Sequence, residues 1–444
     1  MSKYFGTDGI RGVANKELTA HIAYRIGRFL GQYKKNKTAN NILIARDTRI
    51  SGQLLLNGLV AGILSSGGNV TDLGISTTPS VAYLTRKKGF TFGIMISASH
   101  NPYYDNGIKL FKSNGEKIDK KTEELLDQYI DSLKDYLPLA KNEYIGTYTY
   151  APELTNEYID KLMSGVNINK DTPLLIDCAN GSCSFIAKDV FSKLPITHKI
   201  INKQPNGVNI NFNCGSTHLD HLSEKLQIEN QYEYGVAFDG DGDRVLLVNK
   251  DGNHLDGDYL IYALAKCLAK LGRLKNNTVV VTVMSNLGLL KALEKSGINY
   301  EIVDVGDRHI QERMIKKGYS LGGEQCGHII LADYLLTGDG LLVVTHLLSL
   351  LEEAELTLEE ALVGFTKLPQ VLVNVIVPNK EAILNHKGLN DLINESTKEL
   401  GDTGRILVRA SGTEPKIRVM VEAETLEECN KHANKIKQYI EDLV

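Results

Sequence analysis

Short apolar runs in this chain end repeatedly in polar turns and are followed by segments of helical spacing. Ile42 to Ala45 ends at Arg46-Asp47-Thr48-Arg49, Leu174 to Ile176 at Asp177-Cys178-Ala179-Asn180-Gly181, and Val279 to Met284 at Ser285-Asn286. The order strand, polar turn, helix predicts a series of α/β units. Polar residues then collect at strand ends, where open α/β sheets bind their ligands. Phe90 to Ala98 is another apolar strand, ended by Ser99-His100-Asn101-Pro102. Leu341 to Leu351 is the most apolar stretch, too short to span a bilayer as a helix, and reads as a buried helix. Near the C-terminus the order changes to strand Val371 to Val377, a long charged helix Lys380 to Leu400, strands Arg405 to Val408 and Ile417 to Glu422, and a last helix from Thr425. That order predicts a small α+β domain.

At about 150 residues per domain, 444 residues exceed a single core. The polar stretch Asp135 to Thr149, the turn Asp251-Gly252-Asn253 and the break at Lys367-Leu368-Pro369 divide the chain into 1–150, 151–252, 253–367 and 368–444. Hydrophobic residues at 42% and charged residues at 23% are a globular balance. A formal charge of -4 supplies no basic field, so nucleic acid is not the expected partner. The N-terminus shows no signal segment and no membrane anchor is expected. The six cysteines form no Cys-x-x-Cys pair, which fits a reducing cytoplasm.

Asp239-Gly240-Asp241-Gly242-Asp243-Arg244 sets three carboxylates at alternate positions, with glycines that let the backbone curl so that all face one cation. A plain polar turn is the alternative, but adjacent carboxylates repel one another, and a divalent ion relieves that. An EF-hand is excluded, because Arg244 and Lys250 stand where that loop needs Gly and Glu. Hard oxygen ligands favour Mg²⁺. Ser99 is a candidate nucleophile or only a turn hydroxyl. His100 follows it directly, which makes a hydrolase triad awkward, and a metal-assisted phosphoserine is the more economical reading.

Lys109 is a proton carrier if burial or cationic neighbours lower its pKa, and otherwise a surface lysine. Arg409-Ala410-Ser411-Gly412-Thr413-Glu414-Pro415, followed by Arg418, is a phosphate cradle or a plain hairpin turn. Glu324-Gln325-Cys326-Gly327-His328 suits sugar hydroxyls or an ammonium group, although His328 could equally be a core histidine. Arg308, in Gly306-Asp307-Arg308, is a weaker candidate beside a solvated turn, and Arg11 either meets an anion or lies on the surface.

Together the Ser99, Asp239, Glu324 and Arg409 segments resemble, in order and spacing, the four signature loops of the α-D-phosphohexomutases. Phe5 to Gly12, Cys214 to His218 and Gln325 are similar to the branch that acts on amino-sugar phosphates. The resemblance implies four domains around a central cleft, three of them related mixed-sheet α/β domains and the last a smaller α+β domain. It implies that phosphorylated Ser99 converts glucosamine 6-phosphate to glucosamine 1-phosphate through glucosamine 1,6-bisphosphate, with Ser99, Asp239, Asp241 and Asp243 holding one Mg²⁺. Arg11, His100, Lys109, Arg244 and His328 would assist catalysis. Glu324, Cys326 and Arg308 would contact the sugar, while Arg409, Ser411, Gly412, Thr413 and Arg418 would bind the idle phosphate. Homodimers are common in the family. The alternatives are a phosphomannomutase or phosphoglucomutase, or a metal-dependent sugar phosphatase. Cys326 and Ala410 depart from the serine and proline usual at those positions, and the thiol is the weaker donor.

Overall fold

A computed structural model describes residues 3–6, 8–33, 39–411 and 415–444. The chain forms two compact units, Met1–Met284 with Asn299–Leu362, and Ser285–Ile298 with Val363–Val444.

Among the described residues the first unit holds three mixed sheets. The first runs in the order Phe5–Gly6, Gly9–Val13, Asp105–Lys112, Phe92–Ile96, Asn41–Arg46, Asn69–Ile75, Tyr148–Tyr150. Asn41–Arg46 has parallel partners on both sides, joined through crossover helices. Phe92–Ile96 instead pairs antiparallel with Asp105–Lys112, because the link through Ser99 is too short for a crossover. Every residue of Phe92–Ile96 is buried, as its unbroken apolar run demands of a strand covered on both faces.

The second sheet runs His254–Leu255, Val245–Asn249, Tyr234–Phe238, Leu174–Asp177, His198–Ile201, and the third Asn299–Val303, Thr278–Thr282, Leu321–Gly323, Ile329–Leu331. Each repeats the plan of parallel strands extended by an antiparallel hairpin. The hairpin loops, 239–244 and 324–328, carry two of the motifs.

Helix Gly340–Glu353 contains the apolar stretch predicted to be buried, and Leu341 to Leu347 is buried throughout. Asp339 caps it by accepting from Leu342 N at 3.0 Å. No helix among the described residues is long and apolar enough to cross a membrane.

The second unit contains a three-stranded antiparallel sheet, Gln370–Ile376, Lys416–Glu422, Arg405–Ala410. Helix Leu426–Glu441 packs its Ile436 and Ile440 into a core with Val375, Ile417 and Val419. The charged helix expected over Lys380 to Leu400 is two helices, Lys380–Leu384 and Lys387–Leu400. Asn385 and His386 break it, and Asn390 Nδ2 meets the carbonyls released there, those of Leu384 and His386 at 3.1 Å. Helix Leu287–Lys295 also belongs to this unit. Fully buried Glu422 holds its start, accepting from Leu287 N at 2.9 Å and Asn286 Nδ2 at 3.2 Å and pairing with Arg405 Nε at 2.6 Å.

Candidate active site

Ser99 stands at the end of the buried strand Phe92–Ile96, 1% exposed, with φ of +54°. A serine in the left-handed region costs about 1–3 kcal/mol and persists only where its surroundings over-determine it. Here they do. Ser99 N donates to Ser97 Oγ at 2.9 Å, and Ser97 Oγ donates to Asp47 Oδ2 at 2.7 Å. The Ser99 carbonyl accepts from Arg49 Nη2 at 3.0 Å and from Asn211 Nδ2 at 2.8 Å. Arg49 also donates to the carbonyls of Asn101, Pro102 and Asp105, so one guanidinium pins the whole turn. Arg49 and Asp47 form a salt bridge of 2.8 Å with both side chains fully buried. Arg49→Ala leaves Asp47 a buried charge without its partner, and about 3–5 kcal/mol of stability should be lost. Urea unfolding measures this, and an unshifted midpoint would contradict it.

The Asp239 loop meets this turn from the second sheet. Phe238 pairs with Val245, so residues 239–244 close a hairpin beyond the sheet edge. A Cβ on Gly240 would lie 2.5 Å from the Ser99 carbonyl oxygen, so only glycine lets the two loops touch, and Gly242 takes φ of +74° to complete the curl. Ser99 Oγ donates to Asp239 Oδ2. Thr78, at the start of helix Thr78–Lys88, donates its amide to the Asp241 carbonyl at 2.9 Å and its hydroxyl to the Asp241 carboxylate.

Around these loops runs a chain of ion pairs whose two ends are joined by one imidazole. Lys109 Nζ lies 2.7 Å from Asp241, 3.0 Å from Asp243 and 2.8 Å from Asp8. Asp8 also pairs with Lys117, which pairs with Asp307. His328 joins the ends, with Nε2 3.8 Å from Asp307 and Nδ1 3.8 Å from Asp243. Gly338 N donates to His328 Nε2 at 3.2 Å and fixes the imidazole.

Burial works against the Lys109 ammonium, but the three carboxylates outweigh it and hold its pKa well above the usual lysine range. The lowered pKa that proton transfer by Lys109 requires is therefore not what this arrangement produces. With 1% of it exposed, it is not a surface lysine either. Burial raises the Asp243 carboxyl less than Lys109 and His328 lower it, so it lies well below the carboxylate range. Asp239 goes the opposite way, pushed well up by burial and by Asp243 and Asp241. Burial, then Arg244 and Arg11, push His100 down to about 3, leaving a neutral ring whose Nδ1 is 3.5 Å from Ser99 Oγ.

The three loop aspartates offer ligand atoms within 4.8 Å of one another. Asp241 Oδ1 and Asp243 Oδ1 are buried without a hydrogen-bond partner. Orphaned carboxylate oxygens beside a carboxyl that cannot easily ionise fit a small, hard divalent cation. Arg244 donates its amide to Asp239 Oδ1 at 3.2 Å, while its Nε is buried without a hydrogen-bond partner and 3.9 Å from Asp243. A phosphate oxygen suits that donor.

Arg11 joins the same cluster through Asp8, 2.7 Å away. Glu324 accepts from Gly306 N at 3.1 Å, and Cys326 Sγ lies 3.6 Å from Glu324 Oε2. Arg308 is held elsewhere, by Glu123 and, at 3.1 Å, by the Ile118 carbonyl. In the second unit Arg409 and Arg418 face each other across adjacent strands. Burial and this neighbouring cation depress Arg409, a strain an anion would relieve. Ser411 N donates to the Lys416 carbonyl at 2.9 Å. Gly412 and Thr413 lie outside the described residues.

Asp47, Arg49, Lys117, Asn211 and Thr78 were missed by the sequence reading. Asp47 and Arg49 stood in a strand-end turn, and Asp8 in a glycine-rich N-terminus, but no local pattern gave any of them a partner.

Segments of the chain match four domain families: phosphoglucomutase/phosphomannomutase alpha/beta/alpha domain I over residues 2–137, domain II over 156–252, domain III over 256–368 and the C-terminal domain over 372–438. A phosphoglucosamine mutase from an Exiguobacterium species is 44% identical over 447 aligned residues, covering 100% of this chain and 99% of that protein. A Bacillus cereus phosphoglucosamine mutase is also 44% identical, over 99% of this chain and 98% of its own length. Among solved structures, a phosphoglucomutase/phosphomannomutase family protein from Burkholderia thailandensis superimposes with a TM-score of 0.81 at 23% identity, covering 98% of this chain and 97% of its own.

Proposed function

The chain belongs to the phosphoglucomutase/phosphomannomutase family, in its phosphoglucosamine mutase branch, and on that premise we propose that it interconverts glucosamine 6-phosphate and glucosamine 1-phosphate through phosphorylated Ser99. The observation that carries this reading is the convergence of a strained, buried serine hydroxyl on one of three clustered aspartates, with Lys109 and Arg244 alongside.

In the forward direction the phosphoryl group of Ser99 passes to O1 of glucosamine 6-phosphate. The O1–P bond forms, the P–Oγ bond breaks, O1 releases its proton and Ser99 Oγ receives one. The bound glucosamine 1,6-bisphosphate reorients, the O6–P bond breaks as the P–Oγ bond re-forms, Ser99 Oγ gives up its proton while O6 takes one, and glucosamine 1-phosphate leaves. Such transfer is mostly positioning and electrostatic stabilisation. Asp239, Asp241 and Asp243, with the Ser99 phosphate, would hold one Mg²⁺, which offsets charge on the transferring group.

Lys109, kept protonated, holds Asp241 and Asp243 in place. Arg244 meets the phosphoryl oxygens, and Arg11 and His328 stabilise charge beside them. The neutral His100, with Nδ1 3.5 Å from Ser99 Oγ, helps position that oxygen. Glu324 and Cys326 read sugar hydroxyls, and Arg308 joins them only by releasing Glu123. Arg409, Ser411, Gly412, Thr413 and Arg418 anchor the idle phosphate.

The same reading takes 1–150, 151–252, 253–367 and 368–444 as the four domains. It places the enzyme in the cytoplasm, feeding amino-sugar nucleotide synthesis, with a homodimer as the assembly.

The test is a comparison of rates on glucosamine, glucose and mannose phosphates. Preference for glucosamine phosphate is expected. Preference for another sugar would point to a phosphomannomutase or phosphoglucomutase, and free phosphate released in step with product to a phosphatase.

Cys326 bears on that preference. Burial pushes its thiol up to about 12, so it stays neutral and a weak donor. Cys326→Ser should lower KM for glucosamine 6-phosphate by about two- to tenfold, the effect of improving one hydrogen bond, with kcat little changed. An unchanged or raised KM would remove Cys326 from the sugar site.

A further inference from the structure

Away from the aspartate loop, the far end of helix Thr78–Lys88 opens on a cavity of about 470 Å³. The helix residues that line it, Ala82 to Lys87, lie about 6 to 14 Å along the axis from Thr78 and its bonds to Asp241, at about 1.5 Å per residue. The volume falls within the range of about 300–1,000 Å³ occupied by small-molecule sites.

Two kinds of group line the cavity. Arg86 and Lys87 come from the helix end, and Lys161 from helix Thr155–Met163. None of the three makes an ion pair with a carboxylate among the described residues. The acids nearby are engaged: Asp333, in the lining, pairs with Lys275, and Glu116 pairs with Lys112 at 2.8 Å. The second kind is flat and apolar. Tyr83 and Tyr334 contribute rings, with Leu335 and Leu336 beside them. Tyr334 is braced by an edge contact with His346, centroids 4.0 Å apart, and Lys161 Nζ lies 5.9 Å from its ring centre.

We propose that this cavity is a binding site for a nucleoside diphosphate, its phosphates on Arg86, Lys87 and Lys161 and its base against the tyrosines. Three cations, none of them in a carboxylate ion pair among the described residues, suit a multiply charged phosphate chain better than a single carboxylate. A pair of aromatic rings adds a surface on which a nucleobase can stack. A ligand there leaves the aspartate loop open, so it does not compete with the mutase substrate.

Calorimetric titration of the full-length protein with ADP, in buffer containing EDTA so that no metal bridges phosphate to the aspartates, tests this. Saturable binding of one ADP per chain is expected, undisturbed by excess glucosamine 6-phosphate. The double variant Arg86→Glu/Lys87→Glu, at exposed positions that leave folding and mutase activity intact, should weaken it about tenfold or more. Tyr334→Ala should weaken it about tenfold through lost stacking. Absence of saturable binding up to millimolar ADP overturns the proposal. So does binding that survives charge reversal or is displaced by glucosamine 6-phosphate. Pyrophosphate binding as tightly as ADP overturns the role given to the rings.

Discussion

Ser99→Ala should lower mutase turnover on the order of 10⁴-fold or more, the scale seen when a covalent nucleophile is removed. No nearby hydroxyl can replace it. Ser97 Oγ is bonded to Asp47 and supports the Ser99 amide, and Thr78 Oγ1 is bonded to Asp241. The variant should still fold, since the Ser99 turn is held through backbone groups by Arg49 and Asn211. Alanine carries the same Cβ as serine, so at φ of +54° it adds little to the strain Ser99 already bears. The decisive measurement supplies glucosamine 1,6-bisphosphate to the variant and follows both turnover and incorporation of labelled phosphate. Undiminished turnover would discard the phosphoserine mechanism, whatever the family membership.

The second large effect is expected at Lys109. Lys109→Met keeps the side chain's length and removes its charge, leaving Asp8, Asp241 and Asp243 facing one another. Truncating one partner of a buried ionic cluster costs about 3–5 kcal/mol, so the variant should unfold at markedly lower urea and lose most of its activity. The pH dependence gives a sharper check. In the native protein Asp8 and Asp243 both lie well below the ordinary carboxylate range. For each, burial opposes the shift and the surrounding cations, Lys109 first, outweigh it. A carboxylate lowered on folding contributes stability that is present above its unfolded value and lost as pH falls through its folded value. Removing Lys109 removes the largest cause of that lowering. The gap in stability between native protein and variant should thus be wide at neutral pH and narrow as the solution is acidified. A gap that stays constant with pH would mean that Lys109 acts by packing rather than by charge.

Those two residues differ in how much the chain announces them. Ser99 follows an unbroken apolar strand and precedes Asn-Pro, and the three aspartates alternate with glycines, so both loops are readable from local pattern. The strand, turn and helix order is readable for the same reason, because burial of one face imposes a period of two or 3.6 on neighbours in sequence. Lys109 gives no such signal. It is one of several lysines in its part of the chain, and what separates it from Lys112 is that its partners arrive from 101 to 134 positions away. The same holds for Arg49, whose donors reach carbonyls in a turn about fifty residues later. Helix Leu287–Lys295 shows the limit in the fold itself: its spacing predicts a helix, but its place in the second unit depends on Glu422.

What the sequence alone determined is therefore what neighbours can enforce: the alternation of strands and helices, the small C-terminal sheet, the curl that gathers Asp239, Asp241 and Asp243, and the turn that presents Ser99. What only the tertiary structure decided is which charges face which. It joined Asp8, Lys109, Lys117, Asp307 and His328 into one network, kept the Lys109 proton on and left His100 neutral. The reason is physical. A side chain's charge state depends on the dielectric around it and on charges a few ångströms away in space, and distance along the chain carries no information about either.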